Sequence, residues 1–226
     1  MKVWLSALSV LVLGAFSLPA LADHHEVFIH DVVLVDADTC AVELEISENN
    51  QDNFQSVDRI EIDGVLLADL GPVVAEAINI GGNVNAGDSI LFASDDFVAE
   101  TGLQADVTFD DSNCSSFTSG AVFTFVIDDP NFGGPNTVID SLTLPSGFGV
   151  NTAAVRNSGS SSPSLITLND ETVTVTNNLN QNIVLGTDVD VGGDGGCHLG
   201  ATAGTGFGWL LVAAEVFALS LLRRRK

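Results

Sequence analysis

Positive charge is almost missing from this chain. Of 226 residues, 7 are Lys or Arg, against 30 Asp and Glu. Lys2 and the terminal Arg223, Arg224, Arg225 and Lys226 stand at the two ends, so only Arg59 and Arg156 lie between them. With Glu215 set aside in the C-terminal apolar run, the central body has a balance of about −27. Such a body has nothing to neutralise phosphates, which excludes nucleic acid as a partner and disfavours acidic lipid surfaces. It suits a saline or cation-rich exterior, where counter-ions screen the repulsion. Binding of a divalent cation such as Ca2+ is the sharper alternative, although few of the acids fall in a recognisable ligand spacing.

Histidine is scarce too. His24, His25, His30 and His198 lie near the ends of the body, which leaves none inside to act as a general base. That scarcity decides against an esterase. The stretch "GDSI" at Gly87-Asp88-Ser89 looks like the nucleophile block of GDSL-type esterases, which need a downstream Asp-x-x-His. The only histidine after Ser89 is His198, and Asp194 stands four residues before it, not three. The stretch therefore reads as a turn entering a strand. No catalytic residue is assigned, and the chain reads as a non-enzyme.

Two metal patterns are weak. Asp188, Asp190 and Asp194 approximate a Ca2+ loop only loosely, because glycine takes the fifth position and no glutamate closes the set. Cleavage after Ala22 would create a terminus reading Asp23-His24-His25. Its α-amine, two amides and third-position imidazole form a square-planar set suited to Cu(II) or Ni(II). A frayed polar terminus is the plainer alternative.

Cysteine is limited to three residues. A bridge between Cys40 and Cys114 would close a loop of about 75 residues and stabilise by roughly 4 kcal/mol in the chain-entropy picture. Two separately buried thiols are the alternative. Cys197 is left over, in the glycine-rich "GGDGGCHLG".

The long apolar runs stand at the ends. "MKVWLSALSVLVLGAFSLPALA" has a cation, an apolar centre and an Ala20-Leu21-Ala22 cleavage pattern, so residues 1–22 read as a secretory signal peptide. Near the other end, 207–222 is apolar apart from Glu215. Counted from Ala201, the run gives about 33 Å of helix, enough to span a bilayer. Glu215 and the glycines at 204, 206 and 208 make it a marginal span. The basic residues 223–226 mark the cytoplasmic side and put the body outside. The expected layout is a signal peptide (1–22), an ectodomain (23–187), a Gly/Asp-rich linker with Cys197 (188–206), a transmembrane segment (207–222) and a basic cytoplasmic cluster (223–226).

The body itself reads as strands and turns. "VFIHDVVLV" (27–35), "AVELEI" (41–46), "VDRIEIDG" (57–64), "SILFA" (89–93), "DVTF" (106–109), "AVFTFVI" (121–127), "TVIDSL" (137–142), "TVTVT" (172–176) and "NIVLG" (182–186) are bounded by Gly, Asn, Asp and Pro. This pattern predicts an all-β sandwich or barrel. Short helices are expected at 71–80 and at 94–102, the second with Ser94 as N-cap and Gly102 as stop. "VRNSGSSSPS" (155–164) reads as a polar loop.

Two parts of the chain resemble known families. Gly-Gly-Cys at 195–197, the apolar span and the basic cluster together resemble bacterial tripartite C-terminal sorting signals of the cysteine-bearing MYXO-CTERM type. That resemblance implies an intramembrane sorting protease as partner, with Gly196 and Cys197 at the processed or lipid-modified position. An ordinary single-span anchor is the alternative. The body is similar to lamin-tail-type domains of bacterial surface proteins, on "IHDVVL", "AVELEI", "NAGDSILFASDDF" and "GAVFTFVIDD…TVIDSL". That similarity implies an immunoglobulin-like β-sandwich and assigns no chemistry. The combined expectation is an exported, non-catalytic, envelope-anchored interaction module. A Ca2+-dependent carbohydrate- or matrix-binding domain is the second reading.

Overall fold

Runs of β-branched and aromatic residues, each cut short by Gly, Asn or Asp, favour strands over helices, and strands dominate. The structure, a computed structural model, describes residues 27–48, 54–80, 85–128 and 136–187. In chain order these hold strands β1 (Val27–Leu34), β2 (Cys40–Ile46), β3 (Arg59–Ile62) and β4 (Val65–Asp69), then helix α1 (Gly71–Ile80). Strand β5 (Ser89–Ser94), helix α2 (Asp95–Thr101), β6 (Val107–Phe109) and a 3-10 turn (Asp111–Ser116) follow. The series closes with β7 (Val122–Ile127), β8 (Thr137–Thr143), β9 (Thr152–Val155), β10 (Ser164–Thr167), β11 (Thr172–Thr176) and β12 (Asn182–Gly186).

The fold is all-β, as the sequence patterning predicts, and two sheets pack face to face. One has six strands in the order β10-β9-β1-β2-β5-β6, and the other has four in the order β4-β3-β7-β8. The β5–β6 pair is parallel; the other pairs are antiparallel. Val27, Ile29, Val32, Leu34, Leu44 and Phe92 of the six-stranded sheet meet Ile60, Phe123, Phe125 and Leu142 of the other in one apolar core. The six-stranded sheet is covered on its second face as well. There Val33, Ala41, Leu91 and Ala93 pack with Phe97 of α2 and with Val173, Val175, Ile183 and Leu185 of the β11–β12 hairpin. The molecule is therefore a sandwich with a small third layer.

Local chemistry accounts for several boundaries. Asp63 (φ 51°) and Gly64 (φ 77°) both adopt left-handed backbone, so "IEIDGVLL" is a tight hairpin rather than the end of a strand. Ser94 caps α2 by accepting the Phe97 amide at 3.2 Å, and Gly102 (φ 68°) ends it. Strand β9 reads Thr-Ala-Ala-Val, a segment of low strand propensity that tertiary burial makes a strand.

Two cross-links tie these layers. Cys40 of β2 and Cys114 of the 3-10 turn are joined in a disulfide with a sequence separation of 74. Arg156, 4 % exposed, donates to Ile29 O at 3.1 Å and Ser141 O at 3.2 Å, and pairs with Asp140 of β8. Asp140 in turn accepts the Ile29 amide at 2.7 Å. The guanidinium also lies 5.5 Å from the centre of the Phe28 ring. One of the body's two cations is thus spent on holding β1 to the edge of the four-stranded sheet.

Removing the Cys40–Cys114 bridge should lower the unfolding free energy by about 4 kcal/mol, less any strain relieved. Urea titrations of the oxidised and reduced chain measure this, and superimposed curves would contradict it. Arg156→Met should cost about 3 kcal/mol, because it strands the buried Ile29 carbonyl and the Asp140 carboxylate. A melting temperature within a degree of the parent would overturn that assignment.

Candidate functional site

Polar residues inside a two-faced sheet demand partners, and β1 carries two in succession. The β1–β2 register runs Phe28 opposite Glu45, Ile29 opposite Leu44, then Asp31 opposite Glu43, so His30 is an extra residue in a β-bulge. The bulge changes the phase of the strand. Before it, Val27 and Ile29 enter the inter-sheet core; after it, Val32 and Leu34 do. Val33 joins the second core instead. His30 and Asp31 are left side by side at one end of that second core.

The resulting cluster is tight and strongly acidic. One ligand-type atom from each of His30, Asp31 and Glu43 lies within 4.8 Å of the others. His30 Nδ1 is 3.2 Å from Asp31 Oδ1, and Nε2 is 3.4 Å from Glu45 Oε2. Asp31 and Glu43 are 1 % and 4 % exposed, and they face each other directly across the strands. Glu43 is held from both sides. Its Oε1 accepts Ser89 Oγ at 2.5 Å, and its Oε2 accepts the Thr176 amide of the hairpin at 3.0 Å. Among the described residues no hydrogen-bond donor meets either carboxylate oxygen of Asp31, and His30 Nδ1 has no hydrogen-bond partner either.

Electrostatics follow from this packing. Burial, reinforced by the Asp31 charge, pushes the Glu43 carboxyl up to about 7, against the hydrogen bonds from Ser89 and Thr176. Burial lowers the His30 imidazole, but Asp31, by contact and charge, and then Glu43 and Glu45 raise it further, above its ordinary value. A second carboxylate, Asp106, anchors the same hairpin by accepting the Leu91 and Asn178 amides, each at 2.8 Å. Burial raises it as well.

Beside this cluster is a groove of about 520 Å³ lined by Phe28, Ile139, Arg156 and the loop serines Ser158, Ser160 and Ser161. Its cation is already committed to Asp140 and two carbonyls, so the groove offers hydroxyls and apolar surface rather than a free charge.

The residues singled out in the sequence fare differently. Cys40 and Cys114 are bonded to each other. Asp23, His24, His25, Gly196 and Cys197 lie outside the described residues, as do the linker acids Asp188, Asp190 and Asp194 and the apolar runs at both ends. Among the described residues no helix is long and apolar enough to cross a membrane. Ser89 is 3 % exposed and spends its hydroxyl on Glu43, so the "GDSI" stretch is a turn and a strand start, with its serine serving as a buried clamp. His30 is near the start of the body in sequence but mid-strand in space. Proximity to the chain end therefore misplaced His30, which is half-buried. The missed signal was the adjacent pair His30-Asp31 interrupting an apolar alternation, opposite the "ELE" of β2. No known protein family, curated protein or solved structure matches the chain.

Glu43 and His30 hold their protons more tightly in the folded chain than in the unfolded one. Their contribution is present below the unfolded values and is lost as pH rises through the folded values. For Glu43 that window runs from 4.5 to about 7, and a shift of that size corresponds to roughly 3 kcal/mol. In chelator-treated buffer the melting temperature should fall between pH 5 and pH 8, and Glu43→Gln should flatten the fall. An unchanged slope in the variant would assign the effect to other groups.

Proposed function

We propose that this chain is an exported, non-catalytic β-sandwich protein held at the cell envelope, whose strand-connecting loops form an interaction surface. The observation that carries this reading is the Cys40–Cys114 bridge in the core. Disulfides persist in oxidising compartments outside the cytosol. The body's acidity supports the same placement, because a surface near −27 is tolerated best where counter-ions are plentiful.

In this proposal the sandwich is immunoglobulin-like, and residues 1–22 direct export. Residues 207–222, with the basic 223–226, form the anchor, and an intramembrane sorting protease acts at Gly196 and Cys197. A non-catalytic role is supported by how the polar residues of the body are used. Ser89, Glu43, Asp106, Asp140 and Arg156 each make contacts that join strands or layers.

Intact mass spectrometry of the protein from its native envelope tests the proposal. A species starting at Asp23 and ending at or near Cys197, oxidised by two hydrogens, is the expected result. A species running from Asp23 to Lys226 would replace the sorting signal with a plain anchor. A reduced species starting at Met1 would overturn export altogether.

A further inference from the structure

A buried carboxylate is costly unless it is paired, hydrogen-bonded or bound to a cation, and Asp31 has no hydrogen-bond donor among the described residues. Its cationic neighbour among the described residues is His30, at 3.2 Å. Directly opposite it stands a second buried carboxyl, Glu43, and the two repel whenever both are ionised unless something positive lies between them. We infer that His30, Asp31 and Glu43 form a binding site for a divalent transition cation of the zinc class, at the β1 bulge under the β11–β12 hairpin.

The donor set selects the cation. One imidazole and two carboxylates suit Zn2+ and its first-row neighbours, whereas Ca2+ takes six to eight oxygens and has little use for a ring nitrogen. The ligand atoms now lie within 4.8 Å of one another. Ligands about 2.1 Å from a tetrahedral ion stand roughly 3.4 Å apart, so closure needs a contraction on the order of 1 Å, within reach of side-chain rotation.

The surroundings are arranged as outer-shell support. Glu45 faces His30 Nε2 at 3.4 Å, which turns the unpartnered Nδ1 toward Asp31. A carboxylate behind a ligating imidazole fixes its tautomer and strengthens its basicity. Ser89 and the Thr176 amide orient Glu43 in the same way, while leaving lone pairs on both oxygens. His30, with 22 % of its side chain exposed, provides the entry path. Because Thr176 belongs to the hairpin, a cation here would also brace the third layer against the sheet.

Equilibrium dialysis of the full chain against Zn2+, in about 0.3 M NaCl to suppress diffuse binding to the acidic surface, provides the test. The parent should hold one Zn2+ that a tenfold excess of Ca2+ does not displace. A variant with both His24 and His25 replaced by Ala should keep it, which separates the site from the N-terminal histidines. Glu45→Gln should weaken binding by roughly 10–100-fold, and His30→Gln and Asp31→Asn by more. In chelator, Asp31→Asn should still melt in one cooperative transition, since Asn keeps the size and shape of the buried carboxyl. This identifies it as folded; on adding Zn2+ the parent should rise and the variant should not. Equal Zn2+ affinity in the parent and in folded Asp31→Asn, or loss of binding only with His24 and His25, would overturn the site.

Discussion

Burial of the six-stranded sheet on both faces is the constraint from which the rest of the structure follows. A strand with one wet face can alternate apolar and polar residues; β1 and β2, covered on both sides, cannot do so freely. Val32 and Leu34 serve one core while Val33 serves the other. Every polar side chain left in those strands must then be matched by a specific partner. Glu43 has Ser89 and Thr176. The arginine following β9 has Asp140, two carbonyls and the Phe28 ring. Asp31 has only its charged neighbours, which is why the chemistry of the body concentrates at the bulge.

The hairpin β11–β12 illustrates how such a layer is held. Its four apolar residues supply area, but area alone does not set where a hairpin sits. The Thr176 amide, bound to Glu43 of β2, the Asn178 amide, bound to Asp106 just before β6, and the Asn177 side chain, which reaches Gln104 O at 2.8 Å, set where it sits. Burial raises both carboxyls above their ordinary values, so the docking of this layer is tied to pH in a way that the apolar core of the main sandwich is not. The disulfide works on the opposite side of the same sheet, in the core between the two main sheets.

Much of the strand content was legible because β-branched runs bounded by turn residues have a local cause. The runs at 89–93, 106–109, 121–127, 172–176 and 182–186 all fall on strands. Ser94 and Gly102 likewise cap and stop α2 where the sequence placed them. Strand β9 was not legible, since Thr-Ala-Ala-Val becomes a strand only where β1 and β10 flank it. Strand β4 was hidden behind the Asp63-Gly64 turn, whose two left-handed residues reverse the chain and extend the element.

The candidate site divides along the same line. The sequence by itself determined the acidity, the scarcity of cations and histidines, the all-β character and the presence of two cysteines far apart in the body, because these depend on composition and short-range pattern. It also carried the His30-Asp31 interruption and the "ELE" opposite it, though not their meeting. Only the tertiary structure decided that one extra residue in β1 places that pair against Glu43. Only it decided that a hairpin more than a hundred residues later covers them, because register, bulges and layer packing are long-range choices that no local segment encodes.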